Sequence, residues 1–310
     1  MTPHPGINKL LQTFDLAADV PMAIHTRLKV GGPADLLAQP GTREELIDLI
    51  KAARSASVPV TIVGGGCNLL VSDQGVRGLV VVTTRLKSGI RVETISDKEV
   101  RLFMEAGERL STVCSHAVRQ GLTGLEFCAG IPGTMGGAVI MNAGTGDQGI
   151  GRRVHSLDVL NLTTLDVCTL KKEALDFCYR RLNLKNRLIL GITLALAPGE
   201  PSQIMQTYND ILTRKQNTQP MDLPSAGCFF KNPDPDHPAG KLIQDAGLKG
   251  KTIRGAQVSP VHANYIVNLG HATCKDILAL KEHIQKQVWD RYSIVLETEV
   301  ISTGDGMKNE

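Results

Sequence analysis

Two glycine-rich segments are the places in this sequence where the backbone itself could do chemistry. The first, Gly64-Gly65-Gly66-Cys67-Asn68, directly follows the β-branched run VPVTIV. Glycines there let backbone N–H groups wrap an anion such as a pyrophosphate, because no Cβ stands in the way. The segment fits the pattern G-x-G-x-x-G only in part, since Leu69 occupies the last glycine position. Phosphate binding and a merely tight turn therefore both stay open.

The second glycine-rich segment runs from Gly124 to Gly146 and mixes glycines with apolar side chains. It contains Gly130, Gly133, Gly136, Gly137 and Gly144, together with Pro132. A surface loop of this composition would expose Ile131, Met135 and Val139 to water, an arrangement that soluble proteins avoid. The segment therefore predicts a close approach of the backbone to a large flat ligand.

Two acidic side chains near the end of the chain are candidates for acid and base chemistry. The segment IVLETEVIS alternates apolar and polar residues, which predicts a strand with Glu297 and Glu299 on the same face. The sequence alone does not choose between these two carboxylates. The alternative is that both are solvated strand residues.

The elements that must position these groups indicate mixed helix and sheet. Thr42-Arg43-Glu44-Glu45 has the form of a capping box, which predicts a helix over about 43–55. A strand is predicted from Gly78 to Thr84, and a helix over 110–118 that stops at Gly121. Strands return between Val154 and Ala197. The first part of the chain is therefore predicted to be α/β or α+β.

The character of the sequence changes after Pro198-Gly199-Glu200-Pro201, a run that indicates a boundary. Beyond it, apolar residues at helical spacing predict helices around 204–212, 239–246 and 277–288. We therefore expect a nucleotide-type region up to about residue 197 and a helix-rich region after it.

Composition predicts a soluble globular enzyme with more than one core. The chain has 310 residues, of which 42% are hydrophobic and 21% charged. The net charge is only +3 and no long basic run occurs, so nucleic acid is not expected as a partner. The N-terminal sequence lacks a secretory signal pattern, and the apolar run 188–197 is far shorter than the roughly 20 residues of a membrane span. Seven cysteines without metal-type spacing predict reduced cytoplasmic thiols and no metal site.

Seven blocks of sequence carry a specific resemblance. They are HTRLKVGGPAD (25–35), VGGGCNLLVSDQG (63–75), GLEFCAGIPGTMGGAVIMNAG (124–144), YR (179–180), PSAGCFFKNP (224–233), AGKLIQDAGLKG (239–250) and LETEV (296–300). In this order they are similar to the UDP-N-acetylenolpyruvoylglucosamine reductases, over nearly the whole chain. The short stretch between Arg180 and Ser225 resembles the form of the enzyme that lacks an extra tyrosine-bearing loop.

The resemblance implies an α+β fold with a two-subdomain FAD-binding region of the PCMH/vanillyl-alcohol-oxidase type plus a smaller α/β substrate-binding domain. The implied domains are residues 1–88, 89–197 and 198–310, with the last strand packing back near the flavin. The implied reaction, in peptidoglycan precursor synthesis, is the NADPH-dependent reduction of UDP-N-acetylglucosamine enolpyruvate to UDP-N-acetylmuramate through FAD. We expect a cytoplasmic monomer that binds a UDP-sugar and neither nucleic acid nor membrane.

The resemblance also implies roles for individual residues. Flavin N5 would donate a hydride, Arg180 and Glu299 would stabilise an enolic intermediate, and Cys228 would give the proton. The family usually has serine at this last position; a free thiol, with a pKa of roughly 8.5, gives up its proton more readily than an alcohol. The implied FAD contacts are Gly64, Gly65, Gly66, Cys67, Asn68, Gly130, Ile131, Pro132, Gly133, Gly136, Gly137, Asn142, Ala143 and Gly144. The implied substrate contacts are Tyr179, Arg214, Lys231 and Asn232.

Several polar positions have two interpretations. A lysine contact of the family is replaced here by Thr218, and Arg214 or Lys215 would compensate unless both lie on a solvated helix end. His262 and Asn264 are interpreted mainly as structural polar residues of the third domain. For Cys228 itself, the alternative to an acid is a small buried cysteine.

Two other functions are kept as alternatives. The first is a related FAD oxidase acting on a sugar or lactone, in which Cys67 would tether the flavin. The blocks at 224–233 and 296–300 have no reason to be present in such an oxidase. The second is a non-catalytic nucleotide-binding protein, which predicts no flavin turnover.

Overall fold

A computed structural model of the chain describes residues 6–145 and 148–307, so Gly146, the last residue of the second glycine-rich segment, lies outside the described residues. The helices are α1 (Ile7–Thr13), α2 (Arg43–Ser55), α3 (Leu110–Arg119), α4 (Met135–Ile140), α5 (Pro201–Thr218), α6 (Ala239–Asp245) and α7 (Cys274–Tyr292). The strands are β1 (Ala17–Pro21), β2 (Pro33–Ala38), β3 (Val60–Val63), β4 (Leu69–Val71), β5 (Val76–Val82), β6 (Arg91–Ser96), β7 (Glu99–Glu105), β8 (Leu122–Thr123), β9 (Gly144–Thr145), β10 (Gln148–Gly149), β11 (Val154–Asn161), β12 (Val167–Lys171), β13 (Phe177–Cys178), β14 (Arg181–Leu182), β15 (Arg187–Pro198), β16 (Ser225–Cys228), β17 (Thr252–Ile253), β18 (Ala256–Val258), β19 (Tyr265–Asn268) and β20 (Ile301–Thr303).

The first sheet has the strand order β1-β2-β5-β3, with β2 and β3 both parallel to β5. Helix α2 packs against it, since Leu46 of the helix shares one buried core with Leu36 and Leu79 of the strands. The predicted helix is confirmed, and its capping box is formed by Thr42 and Glu45. The strand predicted at 78–84 is confirmed as β5, two residues earlier.

The second sheet is antiparallel, with the order β12-β11-β15-β7-β6, and β8 pairs with β15. Helix α3 packs its buried face on the same core as the strands of this sheet. The helix ends at Arg119, and Gly121 has a φ of +62°, the left-handed conformation that glycine adopts readily. The predicted helix stop is therefore confirmed.

The third sheet has the antiparallel order β16-β19-β18-β17 and packs on α6 and α7. The helices predicted after residue 200 are confirmed as α5, α6 and α7, and α5 and α7 are longer than the periodic stretches. Among the described residues, no helix combines the length and apolar character needed to cross a membrane. The domain boundaries at 88 and 197 stay predictions.

The strand predicted over the tail IVLETEVIS is wrong for most of its length. Only Ile301–Thr303 forms a strand, β20, which pairs in parallel with β4 next to the first glycine segment. Before it, Thr298 forms a single bridge with Phe230. The alternation arises because Leu296 and Val300 are buried in the core around α7, not because a ladder forms.

Candidate active site

The structure brings the two glycine-rich segments together. The first follows the end of β3, and a Cβ on Gly65 would lie 3.1 Å from the Cα of Gly133 in the second segment. Gly66 has a φ of +62°, and a Cβ there would lie 1.9 Å from the carbonyl oxygen of His25. Only glycine fits this turn, because the backbone conformation disfavours other residues and the carbonyl of His25 leaves no space for a Cβ.

The first glycine-rich segment also contains backbone N–H groups that are available to a ligand. In the part of the chain that the structure describes, the N–H groups of Gly65, Gly66 and Cys67 donate no hydrogen bond to the protein. Consecutive unpaired donors in a glycine turn suit an anion. Gly133 has a φ of +118°, and a Cβ there would approach no described atom more closely than 3.9 Å, so its face is open. These residues fit the pyrophosphate and the flat ring of FAD.

Other predicted FAD contacts make bonds within the protein. Asn142 donates from Nδ2 to the carbonyl of Cys178 (2.8 Å) and accepts at Oδ1 from the N–H of Gly151 (3.0 Å). Gly144 accepts a hydrogen bond from Arg180 (3.1 Å). Gly130 lies against α5, and Gly136 lies against Ala106. Ile131 and Ala143 pack on the hydrophobic core. Pro132 and Gly137 are exposed. The second segment therefore also holds the site together.

Arg180 and Glu299 form an ion pair at the centre of the site. Nε of Arg180 lies 3.1 Å from Oε1 of Glu299, and the two side chains are only 18% and 17% exposed. At this distance the opposite charges of the two side chains attract each other. Burial raises the pKa of Glu299, although Arg180 and Lys231 oppose the rise.

Cys228 lies close enough to Arg180 and Glu299 to be affected by their charges, and it directly follows a β-bulge. The pairing of β16 with β19 shifts register between Ser225 and Cys228, and Gly227 there has a φ of +85°. Bulges of this kind re-aim a side chain, often next to an active site. Burial and Glu299 raise the pKa of Cys228 to about 11, against the opposing influence of Arg180. The thiol therefore does not have the ordinary pKa expected from the sequence, and it keeps its proton at neutral pH.

Asparagines fix the chain segments that carry these groups. Asn264 donates from Nδ2 to the carbonyl of Phe230 (2.8 Å) and accepts at Oδ1 from its N–H (2.9 Å). Asn68, a predicted FAD contact, instead donates to the carbonyl of Glu299 (2.9 Å). The first glycine segment is thereby bonded directly to the residue that faces Arg180.

The predicted substrate contacts Tyr179, Lys231 and Asn232 differ in their exposure and in their partners. Tyr179 is 50% exposed, and its ring centroid lies 5.2 Å from the Arg180 guanidinium carbon. Lys231 pairs with Glu297 (3.1 Å), whose side chain is 73% exposed. Asn232 accepts at Oδ1 from the first N–H of α6 (3.0 Å). The structure thus separates the two tail carboxylates, since Glu297 faces solvent and Glu299 faces Arg180.

A cavity of about 610 Å³ opens beside Arg180. Its lining includes Tyr179, Asn142, Phe177, Arg152 and Lys172. Both cationic and aromatic side chains are present, so the cavity suits an anionic ligand with a planar part.

Two buried polar residues lie near the site, and the sequence suggested only one of them, Lys215, as a possible contact. Lys215 is only 8% exposed and donates to the carbonyl of Ala129 (2.7 Å), and burial lowers its pKa. The solvated helix end is therefore wrong for Lys215, whereas Arg214 is exposed and its contact with substrate stays a prediction. Helical spacing from Ile204 was the available signal for Lys215. Tyr265, the second, lies opposite Cys228.

Comparison with known proteins agrees with the geometry. A family model described as an FAD binding domain matches residues 34–164. We call the surface formed by Gly65, Gly66, Cys67 and Gly133 the glycine cradle. The fold and this cradle therefore define an FAD-dependent oxidoreductase. A second model, the C-terminal domain of UDP-N-acetylenolpyruvoylglucosamine reductase, matches residues 219–303.

Individual relatives cover almost the whole chain. The chain is 40% identical to the UDP-N-acetylenolpyruvoylglucosamine reductase of Caldanaerobacter subterraneus over 96% of its length and 97% of that protein. It is 41% identical to the same reductase of Desulfosudis oleivorans over 92% of its length and 94% of that protein. The crystal structure of the reductase from Thermus caldophilus matches with a TM-score of 0.76 and 33% identity, over 93% of this chain and 99% of that one.

The chain belongs to the UDP-N-acetylenolpyruvoylglucosamine reductase family. It is therefore an enzyme with the predicted α+β fold, an FAD-binding region followed by the family's C-terminal domain. FAD is the cofactor that the matching domain model indicates, and the reaction of the family on a UDP-sugar belongs to peptidoglycan precursor synthesis.

Proposed function

We propose that the chain reduces UDP-N-acetylglucosamine enolpyruvate to UDP-N-acetylmuramate, with NADPH as the reductant and FAD as the carrier. The observation that carries this proposal is the convergence of Arg180, Cys228 and Glu299 beside the glycine cradle. The two glycine-rich segments would hold FAD, which when bound would supply a hydride to the terminal carbon of the enolpyruvyl double bond. The protein must then handle the charge that develops on the carboxyl-bearing carbon.

Arg180 and Glu299 are proposed to stabilise that charge. The Arg180 guanidinium is fixed by Gly144 and Glu299 and would pair with the substrate carboxylate. Because burial raises the pKa of Glu299, its carboxyl group is more readily held protonated and able to donate a hydrogen bond to the enolate oxygen. Preorganised groups of this kind are most effective where water is excluded.

Cys228 is proposed to complete the reaction as the acid. Its S–H bond breaks, and the electron pair of the enolate forms a C–H bond with the released proton. The sulfur keeps the S–H electron pair as a thiolate, which takes up a proton from solvent after product leaves. A thiol whose pKa is about 11 is fully protonated before the reaction, as a proton donor must be.

Binding of the UDP-sugar is proposed to involve Tyr179, Arg214, Lys231 and Asn232. Tyr179 lines the cavity beside Arg180, and the amide nitrogen of Asn232 remains for a ligand because its oxygen caps α6. Free cysteines throughout the chain support a reducing, cytoplasmic setting.

Anaerobic spectroscopy of the purified yellow protein tests the proposed function. NADPH should bleach the flavin, and UDP-N-acetylglucosamine enolpyruvate should then restore its colour. Bleaching by a free sugar or lactone would instead indicate an oxidase of related fold. A flavin that NADPH does not bleach would indicate a non-catalytic binding protein.

A further inference from the structure

Tyr265 faces Cys228 across the third sheet. The two residues are register partners in the antiparallel pairing of β16 with β19. Side chains of such partners stand on the same face of a sheet, with Cβ atoms about 4.5–5.5 Å apart. The sheet itself therefore directs the phenol ring of Tyr265 toward the thiol.

Tyr265 and the next residue of its strand, Ile266, are buried on opposite faces of the sheet. Tyr265 is only 7% exposed, yet it lies outside the hydrophobic core around α7, to which Ile266 belongs. Successive side chains of a strand point to opposite faces, so Ile266 packs inward and Tyr265 points to the active-site side. Its ring is held edge-on by His262, with centroids 4.9 Å apart. A buried tyrosine hydroxyl in this position needs a polar partner.

Resting on the proposed function, we propose that Tyr265 is a positioning residue for proton transfer, whose hydroxyl donates a hydrogen bond to the sulfur of Cys228. The bond would aim the thiol before the reaction. It would also stabilise the thiolate that remains once the proton has moved to carbon.

The charges around the thiol give this bond its importance. Glu299 disfavours a thiolate at Cys228, while Arg180, Tyr265 and Lys215 favour it. The phenol is itself buried, and its own pKa is raised by burial and by Cys228, with Arg27 opposing and Glu299 reinforcing the rise. Tyr265 therefore remains a neutral donor throughout the working pH range. Without it, the new thiolate would lie beside Glu299 with less compensation.

Tyr265→Phe tests the proposal, because it keeps the ring and removes only the hydroxyl. In the FAD-loaded protein, flavin reduction by NADPH should keep its rate, whereas reoxidation by UDP-N-acetylglucosamine enolpyruvate should slow about tenfold or more. The solvent deuterium isotope effect on reoxidation should increase. Tyr292→Phe, at the end of α7, is the matched control and should change neither half-reaction. Equal slowing of both half-reactions by Tyr265→Phe, or slowing of neither, would overturn the proposal.

A second readout does not depend on turnover. The infrared S–H stretching band of Cys228, isolated by subtracting the spectrum of Cys228→Ser, should shift in Tyr265→Phe and not in Tyr292→Phe. An unshifted band would overturn the hydrogen bond even if the enzyme works as proposed. Conversely, a shifted band in a protein that does not reduce the enolpyruvate would leave the bond standing and reject the proposed function.

A double variant separates the hydroxyl's effect on sulfur from any other effect. With Cys228→Ala already in place, adding Tyr265→Phe should cause no further slowing of flavin reoxidation, since no sulfur remains to accept the bond. Additive slowing would show that the hydroxyl acts elsewhere and would overturn the proposal.

Discussion

Nε of Arg180 lies 3.1 Å from Oε1 of Glu299, although the two residues come from distant parts of the chain. An arginine this close ordinarily lowers the pKa of a carboxyl group. Here burial outweighs the arginine, so the pKa of Glu299 is raised. The folded protein therefore disfavours the ionised form of this carboxyl group relative to water, even next to a fixed positive charge.

Glu299→Gln should change how stability depends on pH. A raised pKa means that the folded protein binds the proton more tightly than the unfolded chain, so parent stability falls as pH rises from the ordinary carboxyl value through the raised value. Glutamine has no such titration. Above about pH 4, the ordinary carboxyl value, the melting temperature of the parent should therefore fall relative to that of the variant as pH rises. A parent that gains stability relative to the variant as pH rises through this range would contradict the raised pKa.

Lys215→Met should weaken FAD binding. The ammonium group ties α5 to the carbonyl of Ala129, directly before Gly130, and its loss leaves that buried carbonyl without its donor. Such a loss costs about 1–3 kcal/mol, so we expect the dissociation constant of FAD to rise about tenfold. Flavin fluorescence titration measures it. Lys215→Arg keeps a charged donor and should restore most of the affinity; equal affinities for parent and methionine variant would exclude this role.

Gly66→Ala should abolish the cradle, because a Cβ would lie 1.9 Å from the carbonyl oxygen of His25. Gly89→Ala is the matched control: Gly89 also has a positive φ, +79°, but open space around it. The control should cost about 1 kcal/mol of backbone strain and still bind FAD. We expect the Gly66 variant to purify colourless, and a yellow Gly66 variant would contradict the tight turn.

Asn264→Ala should destabilise the fold near the site. The side chain satisfies both the N–H and the carbonyl of buried Phe230. Leaving two buried backbone groups unpaired costs about 2–5 kcal/mol, which urea unfolding would detect. Asn217→Ala, at an exposed position of α5, should change stability by less than about 0.5 kcal/mol. A similar small effect at Asn264 would contradict a stabilising role for its two hydrogen bonds to Phe230.

Much of the fold was predictable because local rules and tertiary packing agree. The capping box at Thr42 and the apolar spacing of α2 both indicate the same helix, and the structure has it. The tail around Glu299 was not predictable in the same way. Its alternation reflects burial on one side, and a pattern of period two does not reveal whether a neighbouring strand is present.

Some residues of the site could likewise be predicted from the sequence, and others could not. Glycine turns are visible in sequence because glycine adopts a positive φ at the least cost, and Gly66 is such a case with no space for a Cβ. The convergence of Arg180, Cys228 and Glu299 depends on long-range packing that no local pattern encodes, so only the family resemblance pointed to it. Tyr265 was missed because its importance arises from strand register, which places it opposite Cys228.

Rapid mixing of the reduced enzyme with UDP-N-acetylglucosamine enolpyruvate tests the central claim most directly, because it isolates the step that needs the acid. Cys228→Ser should reoxidise its flavin and form product, since a hydroxyl also carries a proton. Cys228→Ala should accept electrons from NADPH as the parent does but fail to pass them on, with reoxidation slowed by at least about 100-fold. Reoxidation of the alanine variant at the parent rate would show that Cys228 is not the proton donor.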